Sequence, residues 1–111
     1  MCIRDRYGIY YRIDQTGSGN GYPRLNSNVS VYYRGTLLDG TVFDERTRAE
    51  GPITFSLTRV IQGWQISIPR LQENGVGTFI IPSVYAYGTR STDDIPRNSV
   101  LIFEVELINF N

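Results

Sequence analysis

The feature that most limits the fold of this chain is the alternation of apolar and polar residues near its end. Apolar side chains occupy every second position from 101 to 107, within residues 100–108, and Glu104 and Glu106 stand between them. Successive side chains of a β-strand point to opposite faces, so a period of two predicts a strand with one buried face. The side chains predicted to point inward are Leu101, Phe103, Val105 and Leu107.

Shorter segments with the same period occur along the chain, separated by Gly, Pro and Asn. Asp39-Gly40 between two apolar stretches is a strong signal for a hairpin turn. The pattern therefore predicts several short antiparallel strands joined by tight turns. The predicted strands lie within residues 7–13, 29–34, 53–57 and 78–81.

One segment has helical periodicity instead. In residues 61–71, Trp64, Ile68 and Leu71 are spaced to lie on one face of a helix of two to three turns. Pro69 lies near the end of this segment, where its missing N–H breaks or kinks the last turn. The whole pattern predicts an α+β fold in which one short helix lies against a twisted antiparallel sheet.

Composition excludes several kinds of chemistry. The 111 residues include no histidine and a single cysteine, Cys2. Ser–His or Cys–His catalysis, histidine metal sites and an intrachain disulfide are therefore excluded. The formal net charge is zero, so the chain has no electrostatic reason to bind nucleic acid.

The first six residues, MCIRDR, resemble the translated end of a sequencing adapter, which would make residues 7–111 the single native domain. The alternative is a genuine short leader. If they are an adapter, a signal peptide or lipid-bearing cysteine could have preceded the domain, so the location of the protein is left open.

The stock of aromatic residues is large for this length, with eight Tyr, five Phe and one Trp. Most are expected in the core, but a small sheet with one helix cannot bury them all. We therefore expect some to line a concavity that binds an apolar ligand. Asp44, which directly follows Phe43, is either a turn-capping residue or an acid in that concavity.

Four blocks of residues, in order and with matching spacing, resemble the FKBP-type peptidyl-prolyl cis–trans isomerase family. Residues 33–44, YRGTLLDGTVFD, are similar to the family pattern Tyr-x-Gly-x-Leu-x-Asp-Gly-x-x-Phe-Asp. The other blocks are VIQGW at 60–64, IPSVYAYG at 81–88 and IPRNSVLIFEVEL at 95–107.

The resemblance implies a five- or six-stranded sheet wrapped around the helix as a half-barrel, with a pocket between them. It implies an enzyme without cofactor or metal that accelerates rotation about the bond preceding proline in polypeptides. Tacrolimus- or rapamycin-type macrolides are implied as ligands, and a monomer is expected. The implied catalytic residues are Tyr33, Phe43, Asp44, Trp64, Tyr87 and Phe103, and the implied substrate-binding residues are Ile53, Val60, Ile61 and Ile95.

Two departures from the family pattern bear on ligand preference: Thr58-Arg59 replaces a longer glycine-containing turn before the helix, and position 53 differs in the pocket wall. Ile53 stands where many members have a pocket phenylalanine, so a thinner wall is expected there. This keeps open the alternative of a non-catalytic protein-binding module of the same fold, or a structural domain of a larger assembly. The segments GWQISIP and LIFEVELI resemble bacterial envelope members, which favours the envelope or periplasm over the cytoplasm.

Overall fold

A computed structural model describes residues 3–4, 8–18, 21–86 and 98–111. Within these residues there are three short 3₁₀ turns, Leu57–Arg59, Ile68–Arg70 and Ser83–Tyr85, in addition to the strands and the helix. No helix in this described part is long and apolar enough to cross a membrane. In chain order the strands and the helix are β1 (Ile3–Arg4), β2 (Tyr10–Gln15), β3 (Asn28–Thr36), β4 (Val42–Arg46), β5 (Ile53–Ser56), α1 (Gln62–Ser67), β6 (Val76–Ile81) and β7 (Leu101–Phe110).

The strands form one antiparallel sheet in the order β1-β2-β6-β7-β3-β4, and β5 also pairs with β3. The α+β class and the half-barrel arrangement are confirmed. The sheet has seven strands, more than the five or six expected. The difference arises because β1 is a two-residue edge strand and because β4 and β5 pair with different halves of the long β3.

The predicted inward face of β7 is the centre of the core. Its alternate side chains from position 101 to position 107 are at most 4% exposed, whereas Glu104 between them is exposed. Val29 and Val31 of the neighbouring β3 are fully buried beside them. The alternation therefore identified both the strand and the face that packs against the helix.

The helix is shorter than the periodicity suggested. α1 ends at Ser67 and continues as the 3₁₀ turn Ile68–Arg70, because Pro69 supplies no N–H for an α-helical bond. The three residues predicted to share one face, Trp64, Ile68 and Leu71, are all buried.

The first strand needs correction. It was expected to be half-buried along residues 7–13, but Ile13 is 38% exposed, and of residues 8–13, which the structure describes, only Ile9 is fully buried. β2 lies near the edge of the sheet, between β6 and the two-residue β1, which leaves its far end uncovered. Tyr7 lies outside the described residues.

The hairpin predicted at Asp39-Gly40 is confirmed. Gly40 has φ +89°, a conformation that glycine adopts without strain, and its N–H donates to the Leu37 carbonyl at 3.0 Å. The Thr41 N–H donates to the Asp39 carboxylate at 2.9 Å, and this bond lowers the pKa of Asp39. The turn sets the start of β4 and with it the position of Phe43 and Asp44.

Candidate functional site

A cavity of about 320 Å³ lies between α1 and the inner face of the sheet. Its walls come from β3, β4, β5 and β7, and its helix side comes from α1 and the residues that precede it. Most of the lining is aromatic or aliphatic. The lining residues are Tyr33, Phe43, Asp44, Phe55, Arg59, Val60, Ile61, Trp64 and Phe103.

Trp64 stands at the centre of the aromatic lining. Its indole is 5% exposed and meets three other rings nearly at right angles. The ring centroids lie 5.1 Å from Tyr33, 5.6 Å from Phe55 and 5.3 Å from Phe103. These are favourable edge-to-face contacts, so each ring helps to fix its neighbours and the cavity wall is stiff.

A glycine in β3 makes room for a second ring pair. Gly35 pairs with Asp44 of β4 on one side and with Phe103 of β7 on the other. Phe43 and Phe103 meet above it with centroids 5.6 Å apart and rings inclined at 85°. A Cβ on Gly35 would lie 2.5 Å from Phe43 Cζ and 2.8 Å from Phe103 Cε1, both too close for any side chain. The absence of a side chain at this position therefore lets both rings reach the cavity.

The Asp44 carboxylate lies at the rim of the cavity. Its Oδ2 accepts a hydrogen bond of 2.8 Å from the Tyr33 hydroxyl. The turn-capping interpretation is wrong, because Asp44 lies within β4. Asp44 is also exposed, so the carboxylate does not pay the free-energy cost of burial away from water.

Val60 and Ile61 connect β5 and its 3₁₀ turn to the helix. Ile61 is the N-cap residue of α1, and its carbonyl accepts the Trp64 N–H at 3.0 Å and the Gln65 N–H at 3.3 Å. The side-chain amide of Gln65 donates to the Val60 carbonyl at 3.1 Å and holds the approach to the helix. The Ile61 N–H belongs to the group of N–H donors at a helix start that have no acceptor within the helix. It is therefore suited to bind a carbonyl oxygen in the cavity.

Two lining residues were missed and one was misplaced. Ile53 does not line the cavity; Phe55, two residues further along the same face of β5, does. The expectation of a thinner wall at Ile53 is corrected accordingly, because the Phe55 ring reaches Trp64 from the next inward position. The period of two could have shown this. In the sequence, Arg59 stood out only as part of the shorter turn before the helix, and not as a lining residue.

Tyr87 and Ile95 lie outside the described residues, so their predicted roles stay predictions. Within the described part of the chain, no group of three or more His, Cys, Asp or Glu side chains is placed to hold a metal ion.

A sheet curved around one short helix, with a ring-lined cavity between them, defines a small α+β domain built to receive an apolar group. Comparison with known proteins makes this specific. Residues 19–108 match the family model of the FKBP-type peptidyl-prolyl cis-trans isomerases. The chain belongs to this family.

Individual relatives agree with the family match. The FkpA isomerase of Buchnera aphidicola is 38% identical over 102 residues, covering 92% of this chain and 40% of its own. The isomerase Mip of Coxiella burnetii is 39% identical over 103 residues, with coverage of 92% and 44%. The crystal structure of FkpA from Escherichia coli superposes with a TM-score of 0.93 at 34% identity, covering 99% of this chain and 51% of that chain. The chain thus spans about two fifths of the length of these curated relatives.

Proposed function

We propose that this domain is a peptidyl-prolyl cis–trans isomerase that acts on X–Pro bonds of polypeptides. The observation that carries the proposal is the aromatic cavity centred on Trp64. A prolyl ring is small and apolar, and a cavity of about 320 Å³ with ring walls suits it in size and polarity. Family membership supports the same activity.

The reaction needs no nucleophile or redox group. The X–Pro amide must pass through a state perpendicular to its planar form, over a barrier of roughly 18–20 kcal/mol. The twisted amide has lost its resonance and separates less charge than the planar one. An apolar site therefore stabilises the twisted state relative to the planar state. Lowering the barrier by about 5–7 kcal/mol would accelerate rotation by roughly four to five powers of ten.

Different residues of the site bind the prolyl ring and the backbone on either side of it. Trp64, Tyr33, Phe43 and Phe103 hold the prolyl ring and exclude water, and Phe55 closes the wall beside Trp64. The Ile61 N–H holds the flanking backbone so that rotation occurs about one bond, and the family resemblance assigns the same role to the hydroxyl of Tyr87, which lies outside the described residues.

The Asp44 carboxylate lies beside the bound amide. By accepting a hydrogen bond of 2.8 Å from the Tyr33 hydroxyl, it fixes the orientation of that ring. The carboxylate is exposed at the rim, so it orients a wall of the cavity without making the cavity polar.

The rival function is a non-catalytic binding module that uses the same pocket. The feature that favoured it was the missing ring at position 53. Phe55 supplies a ring to the cavity at 5.6 Å from Trp64, so that feature no longer favours the rival.

One experiment distinguishes the enzyme from the non-catalytic binding module. Exchange NMR spectroscopy would measure cis–trans interconversion of a Leu-Pro peptide with catalytic amounts of the domain, with and without a tacrolimus-like macrolide. We expect accelerated exchange that the macrolide abolishes. Macrolide binding without any acceleration would overturn the proposed catalytic function and support the binding module.

The proposal also covers the clients, the oligomeric state and the cellular location of the protein. We expect proline-containing clients, a monomeric domain, no nucleic-acid ligand, and a location in a bacterial cell envelope. The zero formal net charge supports the absence of a nucleic-acid ligand, and the resemblance of two segments to envelope members supports the location. Fractionation of cells that express the full gene would test the location, and recovery in the cytoplasm alone would contradict it.

A further inference from the structure

Two charged side chains line the cavity, and they differ in sign and in partners. The Asp44 carboxylate accepts a hydrogen bond from the Tyr33 hydroxyl. Arg59 is exposed and, among the residues the structure describes, takes no part in an ion pair or a side-chain hydrogen bond. By contrast, Arg12, Arg34 and Arg46 in the sheet form ion pairs, Arg34 with Glu45 at 3.3 Å. The Arg59 guanidinium is therefore available to a ligand at the mouth of the cavity.

The two charges reach the cavity from opposite ends of β3. Asp44 pairs with Gly35 near the end of that strand. Arg59 ends the 3₁₀ turn that follows β5, and β5 pairs with the beginning of β3, where Ser56 faces Asn28. The cavity mouth thus has an anionic side and a cationic side. Arg59, on the cationic side, directly precedes in sequence Val60 and Ile61, the cavity residues before the helix.

We propose that Arg59 is a specificity residue, which makes the site prefer clients with an aspartate or glutamate side chain within two residues of the proline. The proposal rests on the isomerase function and names the clients of the same cavity. A guanidinium presents a planar fork of N–H donors that matches a carboxylate. Because both groups are exposed, we expect about a two- to fivefold preference, the usual range for surface ion pairs.

The test uses one peptide series. Each peptide has one proline in an otherwise uncharged sequence. A glutamate, or its isostere glutamine, is placed in turn at each of the two positions before and the two positions after the proline. The residue directly before the proline is leucine unless it is the varied position. Exchange spectroscopy gives kcat/KM for each member of a pair. Trp64 is the one tryptophan in the chain and lines the cavity, so its fluorescence gives Kd for the same pairs.

We expect a Glu-to-Gln ratio of about two to five in kcat/KM, or in affinity, at one position or more. The ratio should fall to one in Arg59→Gln and below one in Arg59→Glu. It should also fall when the salt concentration rises from about 0.02 M to 0.5 M, because salt screens an exposed pair. The matched control is Arg12→Gln, which removes the same charge from β2, where Arg12 pairs with Asp14 and lies outside the cavity lining. It should keep the wild-type ratio.

A ratio of one at every position in the wild-type domain, or a ratio unchanged in Arg59→Gln, would overturn the proposal. Its failure is distinct from failure of the proposed function, which the neutral Leu-Pro peptide reports by itself. If that peptide is not isomerised, the affinity ratios still decide whether Arg59 selects acidic segments.

Discussion

At the scale of single residues, the cavity depends on Gly35, which has no side chain. Gly35 lies between two strands that each send a phenylalanine across it, and the ring atoms lie within 3.0 Å of where a Cβ would be. Edge-to-face packing of Phe43 on Phe103 therefore needs glycine at this point of β3. The φ angle of Gly35 is not in the left-handed region, so space, and not backbone conformation, is what requires glycine there.

Gly35→Ala should damage the cavity and the fold together. The added methyl group must push both rings outward, and overpacking of this kind costs about 1–3 kcal/mol of unfolding free energy. We expect urea denaturation to show that loss and exchange spectroscopy to show a lower kcat/KM. Thr36→Ala, the neighbouring residue in the same strand, is the control and should change kcat/KM little.

A second variant separates crowding from other effects of the substitution. Gly35→Ala combined with Phe43→Leu removes the ring that lies nearest the new methyl group. Part of the lost stability should return, because the two positions are in contact and their effects are not additive. Wild-type stability and activity in the single Gly35→Ala variant would show that the rings are not held as the structure describes.

Residue identities in the cavity were predictable to very different degrees. Tyr33, Phe43, Trp64 and Phe103 come from segments whose pattern and family resemblance agree, and the structure brings all four together. Phe55 was missed because the family pattern pointed to position 53, although both side chains lie on the same face of β5. Arg59 was missed because a charged residue in a turn gives no periodic signal.

At the scale of elements, the helix can serve as a wall only because it lies very close to the sheet. A Cβ on Gly63 would come within 2.5 Å of Ile81 Cγ2 and 2.7 Å of Ile81 Cδ1. Glycine is a poor helix former, by about 1 kcal/mol relative to alanine. Here the close approach of α1 to β6 outweighs that propensity.

Gly63→Ala tests which of the two effects is larger. Propensity alone predicts a gain of about 1 kcal/mol in unfolding free energy. We expect a net loss, because Ile81 is fully buried and has little room to move. Chemical denaturation gives the answer, and Gln62→Ala, an exposed neighbour in the same helix, serves as the control that should lose little or nothing.

A double-mutant cycle identifies the cause of the loss. In an Ile81→Val background the Cδ1 atom is gone, so Gly63→Ala should cost less than it does in the wild-type protein. A Gly63→Ala variant more stable than the wild type would contradict the close packing of helix on sheet.

The elements themselves followed largely from pattern, and the exceptions have physical reasons. β7 alternates because one of its faces is in the core, so its existence and its buried face were visible in the sequence, although the strand continues to Phe110, beyond the end predicted at Ile108. α1 stopped earlier than its apolar spacing suggested, because Pro69 removes a donor whatever the surrounding residues prefer. β2 is less buried than its alternation implied, since exposure depends on neighbouring strands that local sequence does not specify.

At the scale of the whole molecule, the site exists only when the sheet and the helix are assembled. Tyr33 and Phe103 are far apart in the chain, and both reach Trp64 because β3 and β7 pair along most of their length. No local pattern predicts such a meeting, which came from the family resemblance. What local chemistry predicted was an excess of rings over what the core could hold.

We propose that the ring-lined cavity itself lowers the barrier to rotation about the X–Pro bond. The measurement that tests it most directly is kcat/KM for a Leu-Pro peptide, by exchange NMR spectroscopy, in Phe43→Ala and Val42→Ala. The two residues are neighbours in β4, but Phe43 lines the cavity and Val42 is 45% exposed and does not. Circular dichroism would establish that both variants are folded.

We expect Phe43→Ala to lower kcat/KM by about tenfold or more, since an apolar ring contact is worth about 1.5–3 kcal/mol. Val42→Ala should stay within about twofold of the wild type, because a surface side chain away from the cavity contributes little. Equal activity in the two folded variants would contradict the account, since it would show that the rings around Trp64 do not stabilise the twisted amide.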